Sequence, residues 1–336
     1  MIPRPRTALA LVAVSAIALT SAATSLGQTA EQDAPRGTMS HHHAHAALAA
    51  KAFRGAIDTD KRGAVNRAYR GRLAANLNTP IGWTGSNHPC RAGHMSARAM
   101  RGTLESINFV RAMGGIAPVS FSKRLSGPAQ KAALIMSANG SLNHDPPRSW
   151  ACWTRAGHDA AGRSNIAYSY PTITAGGAIR QYMDDGGSGN EVVGHRRWIM
   201  YPPTLKMGNG MTATTNALTV FGGASSSTRP NPRWVSWPTA GWFPGPIEPA
   251  GRWSLSSGAG ADFSQARVRV EAGGSQLPVQ TYPVVNGYGA PTIVFQVSDV
   301  HSPGSYTVTV RGIRLSGRST PVNHQYKVRL FRPFQP

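Results

Sequence analysis

Two hydrophobic periods, and one histidine-bearing stretch between them, predict an α+β protein built from a helix-rich domain and a smaller all-β domain. Up to Asn139 apolar residues recur three and four apart, the spacing of helices packed on one face; beyond Arg233 they alternate with polar residues, the spacing of half-buried strands. Between them, Gly186–Pro203 runs from a glycine-rich turn through His195, Arg196 and Arg197 into an apolar run closed by Pro202 and Pro203. That arrangement sets one titratable ring at the mouth of a buried element.

Composition bounds the functional classes. A chain of 336 residues with 40% hydrophobic content can bury ordinary cores, which excludes disorder throughout. Thirty-five Lys and Arg against 14 Asp and Glu give a formal charge of +21, suited to an anionic wall, a membrane surface or nucleic acid. The basic residues are spread along the chain without the block of like charges that marks a nucleic-acid tail, so no specific nucleic-acid partner is expected. Scattered, solvated arginines are the plainer reading of the same charge.

The amino terminus points to export. Met1–Arg6 carries two arginines, Ala8–Thr20 is apolar and Ser21–Ala30 is small and polar, the three regions of a secretory signal over residues 1–30. The apolar run is too short to span a bilayer and no later run is longer, so a secreted mature chain without a transmembrane span is expected. In an oxidising compartment the two cysteines, Cys90 and Cys152, read as a disulfide worth about 4 kcal/mol in the chain-entropy model. Two free thiols are the alternative, which a mass measurement separates.

Residues 31–50 are an Ala-rich linker containing His41, His42, His43 and His45, read as a solvated stretch that chelates metal only in isolation. Residues 51–95 form a basic extension in which Val65, Tyr69 and Leu73 recur four apart, predicting an amphipathic helix over Lys51–Leu77 that packs on its own domain. The main domain opens near Ser96. A helix through Leu104, Ile107, Val110 and Arg111 ends at Gly114–Gly115; a second is expected to begin at Pro128, a residue suited to a first helical position, and to stop at Gly140. His144 then falls on a loop shaped by Asp145-Pro146-Pro147.

The ordered series TLESINFVRAMGG, AQKAALIMSANGSLNH, SNIA, AIRQYMDD and VGHRRWIMYPP resembles the CAP superfamily of cysteine-rich secretory, antigen-5 and pathogenesis-related proteins, over residues 96–223. The resemblance implies an α-β-α sandwich with a cleft built from two histidines and two acidic residues. Carried over position by position, the histidines fall on His144 and His195 and one acidic residue on Asp185. The glutamate of the second acidic position is replaced by Ser164, which cannot act as a carboxylate base or an anionic ligand.

Chemistry supports a narrower claim. Two neutral imidazoles, His144 and His195, suit a zinc ion, and Asp185 could ligate it or orient one ring. No third protein ligand is identifiable, and a catalytic zinc ordinarily has three. A triad of Ser164, a histidine and Asp185 lacks a nucleophile elbow around the serine. Arg196 and Arg197 could bind an anion at the cleft rim, although alternate strand positions would turn one of them to solvent. His94 and His158 read as structural.

Beyond Pro203, Met207–Met211 and Ala217–Phe221 are expected to complete the sheet, residues 224–232 form a linker, and 233–336 an all-β domain with strands near Ala266–Glu271, Ile293–Val297, Ser305–Arg311 and Tyr326–Phe331. Trp234, Trp237, Trp242 and Trp253 cluster at its start. Exposed, they would make a stacking platform for sugars; buried, they would fasten the β-domain to its neighbour. Three functions follow: a non-catalytic module binding a small apolar molecule, envelope component or protein; a metal-assisted hydrolase of peptide or wall polymer; and an envelope protein held by positive charge.

Overall fold

The computed structural model describes residues 55–225, 232–257 and 260–334. The expected signal segment, the histidine-containing linker and most of the 224–232 linker lie outside the described residues. Six helices, α1 (Arg62–Arg72), α2 (Ala97–Met113), α3 (Lys123–Asn139), α4 (Arg155–Ala161), α5 (Ala175–Asp184) and α6 (Gly194–Ile199), occupy the first half with strands β1 (Ser120–Phe121), β2 (Ser164–Tyr168), β3 (Lys206–Met211) and β4 (Thr215–Thr219). These four strands form one sheet in the order β1-β3-β4-β2, antiparallel except for the β1–β3 pair.

Alternation along β2 and β4 explains the layering. Ile166 and Ala217 face a core made with Ala129, Ala132, Ala133 and Met136 of α3 and Ala160 and Ala161 of α4, while Ala167 and Leu218 face a second core with α2 and α5. The product is an α-β-α sandwich. Helix α3 lies so close to β3 that a Cβ on Gly210 would stand 2.2 Å from the Gln130 nitrogen, so the glycines of KMGNGM are a packing requirement.

Two helix boundaries differ from the sequence expectation. Helix α3 starts at Lys123, five residues before Pro128, because Leu125 is buried against Gly208 and draws the extra turn into the helix. The ring costs only the bond its missing N–H would have made to Arg124. The first helix is shorter than Lys51–Leu77, running over Arg62–Arg72 with a 3₁₀ turn at Ala74–Asn76, and Val65, Tyr69 and Leu73 are buried. Ser96 caps α2 by accepting from the Ala99 N–H, and Gly140, at φ 57°, closes α3 in the left-handed conformation.

The second half is two packed sheets. Strands β5 (Trp234–Trp237), β7 (Arg252–Ser257), β11 (Val279–Thr281) and β12 (Thr292–Val297) make one, in the order β11-β12-β7-β5. The other runs β10-β9-β13-β14-β6, from β6 (Gly241–Pro244), β9 (Arg267–Ala272), β10 (Ser275–Gln276), β13 (Gly304–Leu315) and β14 (Val322–Phe331), with β8 (Ala261–Asp262) on β13. Phe243, Trp253, Phe295 and Tyr306 lie between the sheets, whereas Trp237 is on the opposite face of its sheet, beside Val235 and Ser254, and Phe331 packs on Trp242 on the outer face of the other; these rings belong to one cluster that is continuous with α1, α2 and α5. One apolar core therefore runs through both halves. The disulfide joins Cys90 to Cys152, with the Cα atoms 5.3 Å apart, and pins the segment before α2 to the one after His144.

Candidate functional site

The site grows from the end of α5. Asp185 follows the helix in a left-handed conformation, φ 46°, and turns its side chain toward the start of α6. Its Oδ1 accepts from His195 Nδ1 at 2.8 Å and its Oδ2 from the Arg196 backbone N–H at 3.1 Å. The carboxylate thus caps α6 from eleven residues away, at the helix end where unpaired N–H groups and the dipole favour negative charge; Val193, the residue before α6, supplies no side-chain cap. This is why Gly194–Ile199 is helical where alternating positions had suggested a strand.

His195 is held on every side. Its ring stacks on Tyr182 at 5.4 Å, its carbonyl accepts from Asn165 Nδ2, and the Tyr182 hydroxyl donates to Asn216 Oδ1, which sits beside Asn209 in a buried polar belt across the sheet. His195 is 2% exposed and Asp185 and Ser164 are fully buried. Ser164 donates to the Ala160 carbonyl and lies 2.8 Å from Thr219 Oγ1. His144, half-buried, donates from Nδ1 to the Ala161 carbonyl at 2.9 Å. His144 and Ser164 are therefore fastened to consecutive carbonyls at the end of α4, while His195 and Asp185 form a separate hydrogen-bonded pair. His158 supports the first of these by joining Asp145, the next residue after His144, at 2.7 Å.

These bonds decide what the residues can do. Both Asp185 oxygens accept protein hydrogen bonds, which fits an orienting carboxylate better than a metal ligand. Among the described residues no group of three His, Cys, Asp or Glu side chains is placed to hold a metal ion, so the donor set does not fit a zinc site of three protein ligands. Ser164 has its hydroxyl turned to a carbonyl, the wrong partner for a nucleophile needing a base.

The two arginines after His195 are not at a rim. Arg196 is buried and donates to Met183 O, Asp184 O, Arg252 O and Ser254 Oγ, so it caps the carboxyl end of α5 and ties it to β7. Arg197 donates to Val285 O and Ala290 O and lies over the Tyr288 ring. Burial lowers both guanidinium pKa values to about 10, against the opposing pull of Asp185 on each. From the other side, Arg252 Nη1 donates to Asp185 O at 3.1 Å and Gly187 O at 2.7 Å. The expectation of an anion-binding rim is corrected: a helix buries both side chains where a strand would have turned one to solvent.

Arg252 is the site residue that sequence reasoning missed. It stands next to Trp253 in the GRWSLS segment, and an arginine inside an apolar strand was the available signal. Of the four tryptophans, Trp237 and Trp253 are buried, against Phe243 and against Phe295 and Tyr306, so an open four-ring platform does not form. Trp234 is half-buried and stacks on His324, and Trp242, also half-buried, carries the Arg62 and Arg329 guanidiniums over its ring. Apart from these sites, an open groove of about 540 Å³ lies along α1, between residues 55–58 and the Arg67–Arg72 flank.

Residues 104–221 match the model of the cysteine-rich secretory protein family, CAP. No curated protein matches the chain. Two solved structures of PcoC, described as a methionine-rich copper resistance protein from Escherichia coli, are each 15% identical over 28% of this chain and cover 92% and 94% of theirs, with a TM-score of 0.23 that supports no statement on fold or function. Among the described residues no helix is long and apolar enough to cross a membrane. The motif order, the α-β-α layers and the matched stretch agree: residues 104–221 form a CAP domain.

Proposed function

We propose that this is a secreted, non-catalytic CAP-domain protein that binds a component of the cell envelope through its β-domain rather than through the cleft. The observation that carries this reading is the Arg252 contact: a strand of the β-domain donates to the main-chain carbonyl of the cleft carboxylate, Asp185, while Arg196 returns the bond to Arg252 O. His195 itself is 2% exposed, so its ring is closed to a substrate in this arrangement. The positive balance of the chain suits anionic envelope polymers.

The test compares the intact chain with the His144→Ala and His195→Ala variants for binding to isolated envelope material and for turnover of peptide and wall polymer, with and without chelator. Unchanged binding and no turnover above background support the reading. Turnover that the chelator and both substitutions abolish would establish the metal-assisted hydrolase instead.

A further inference from the structure

The outer face of the β9–β13–β14 sheet collects positive charge that, among the described residues, is answered by a single carboxylate. Strand register places Arg267 opposite Arg311, Arg269 opposite Thr309, and Lys327 across β13 from Glu271, all on the face turned away from Val268, Val270, Val308, Val310 and Val328. Arg329 continues the face to Trp242 on β6. Glu271 is the one carboxylate in these rows, and it is taken by Arg269 at 2.7 Å. Among the described residues Arg267, Arg311 and Lys327 have no acidic partner, and all three are exposed.

The Arg267–Arg311 pair is informative on its own. Like charges directly opposite on neighbouring strands destabilise a sheet, so this pair opposes the fold that contains it unless an anion lies between them. Neighbouring strands are about 5 Å apart, and alternate residues of a strand about 7 Å, so the face presents a regular cationic grid. Serine, threonine and glutamine at Ser305, Thr307 and Gln325 add neutral hydrogen-bonding groups to it.

We infer that this face is a docking surface for a linear anionic polysaccharide bearing carboxylates. The inference rests on the reading that the β-domain makes the envelope contact, and it names the surface and the ligand chemistry. Single-stranded nucleic acid fits less well, because sheet surfaces that bind it offer exposed aromatic rings for base stacking, whereas Trp242 holds Arg62 and Arg329 over its indole. A membrane fits less well because the large apolar rings in these rows, Trp242 and Phe331, pack on each other with the Arg62 guanidinium over both and are not free to insert.

The full chain is titrated with polygalacturonate, neutral dextran, single-stranded DNA and anionic phosphatidylglycerol vesicles. Polygalacturonate is expected to bind, dextran not to bind, and affinity to fall about tenfold or more as salt shortens the Debye length from about 14 Å to about 5 Å. A variant carrying Arg267→Gln, Arg311→Gln and Lys327→Gln is expected to lose at least about tenfold in affinity, and one carrying Arg98→Gln, Arg101→Gln and Lys123→Gln, an equal loss of charge on α2 and α3, less than about twofold. The single change Arg311→Glu separates this role from a structural one: it replaces repulsion with attraction opposite Arg267, so melting temperature should rise while affinity falls. Equal losses in the two triple variants would show only diffuse charge and would overturn the assignment, as would tighter binding of DNA or vesicles than of polygalacturonate. Failure on these terms leaves the sealed cleft standing, because access to His195 is measured separately.

Discussion

The arginines at the cleft and the arginines on the β9–β13–β14 face have the same chemistry and opposite surroundings. Arg196, Arg197 and Arg252 end on main-chain carbonyls, Arg196 within the core, and join α5 and α6 to the β-domain. Arg267 and Arg311 face solvent and each other. A buried guanidinium satisfied by carbonyls holds structure together, while an exposed one opposite its like adds nothing to stability and remains available to a ligand. Net charge alone cannot separate these roles; the partners do.

The largest effects should come from the inner set. Arg196→Met keeps the side-chain volume but removes four acceptor contacts, and is expected to cost on the order of 4–5 kcal/mol in denaturant unfolding. Replacing Cys90 and Cys152 by alanine should cost up to about 4 kcal/mol, the chain-entropy value for a loop of this length. Asp185→Asn keeps the shape but weakens the cap of α6 and the bond to His195, for about 2 kcal/mol. On the outer face, Arg267→Gln should move stability by no more than about 0.5 kcal/mol. A cost there as large as that of Arg196→Met would remove the distinction between the two sets.

Smaller shifts with pH sharpen the comparison. Burial raises the Asp184 carboxyl from 3.8 to about 6, against the attraction of Arg180 and Arg196, so the folded protein holds a proton that the unfolded chain has lost between these values. Stability from this group falls as pH rises from about 3.8 to about 6 and is flat above. Burial against Trp234 and Tyr326 lowers His324 from 6.5 to about 4, and its contribution is present above pH 6.5 and lost as pH falls toward 4. Melting temperature measured from pH 4 to 7 should therefore show a steeper acid loss in Asp184→Asn than in the parent, and a shallower one in His324→Asn. Profiles that move the other way would contradict the burial of these groups.

How much was legible follows from which interactions are local. The periodic faces of α1 and α2, the Gly140 stop and the alternating β-strands depend on neighbours a few residues apart, and the sequence carries them openly. The cysteine pair followed from the compartment that the amino terminus implied. The state of Gly194–Ile199 was not legible, because the carboxylate that caps it comes from Asp185 across a glycine-rich turn. Pro128 misled for a related reason: the turn before it exists because Leu125 packs under β3, a contact between distant segments. Arg252 stayed hidden because an arginine's role depends on the carbonyls it meets, and those belong to another part of the chain. ARVRVE did place Arg267 and Arg269 on one face, yet the clash with Arg311 appears only once β9 and β13 are in register.

The central claim, that the cleft is sealed by the β-domain, is tested most directly by the exchange of histidine C2 protons for deuterium in the intact chain, followed residue by residue by mass spectrometry. His195 should exchange at least about tenfold more slowly than the exposed His88 and His94, and Arg252→Ala should narrow that gap by opening the seam. An exchange rate for His195 equal to those of His88 and His94 in the parent protein would mean that solvent already reaches the ring, and would contradict a closed cleft.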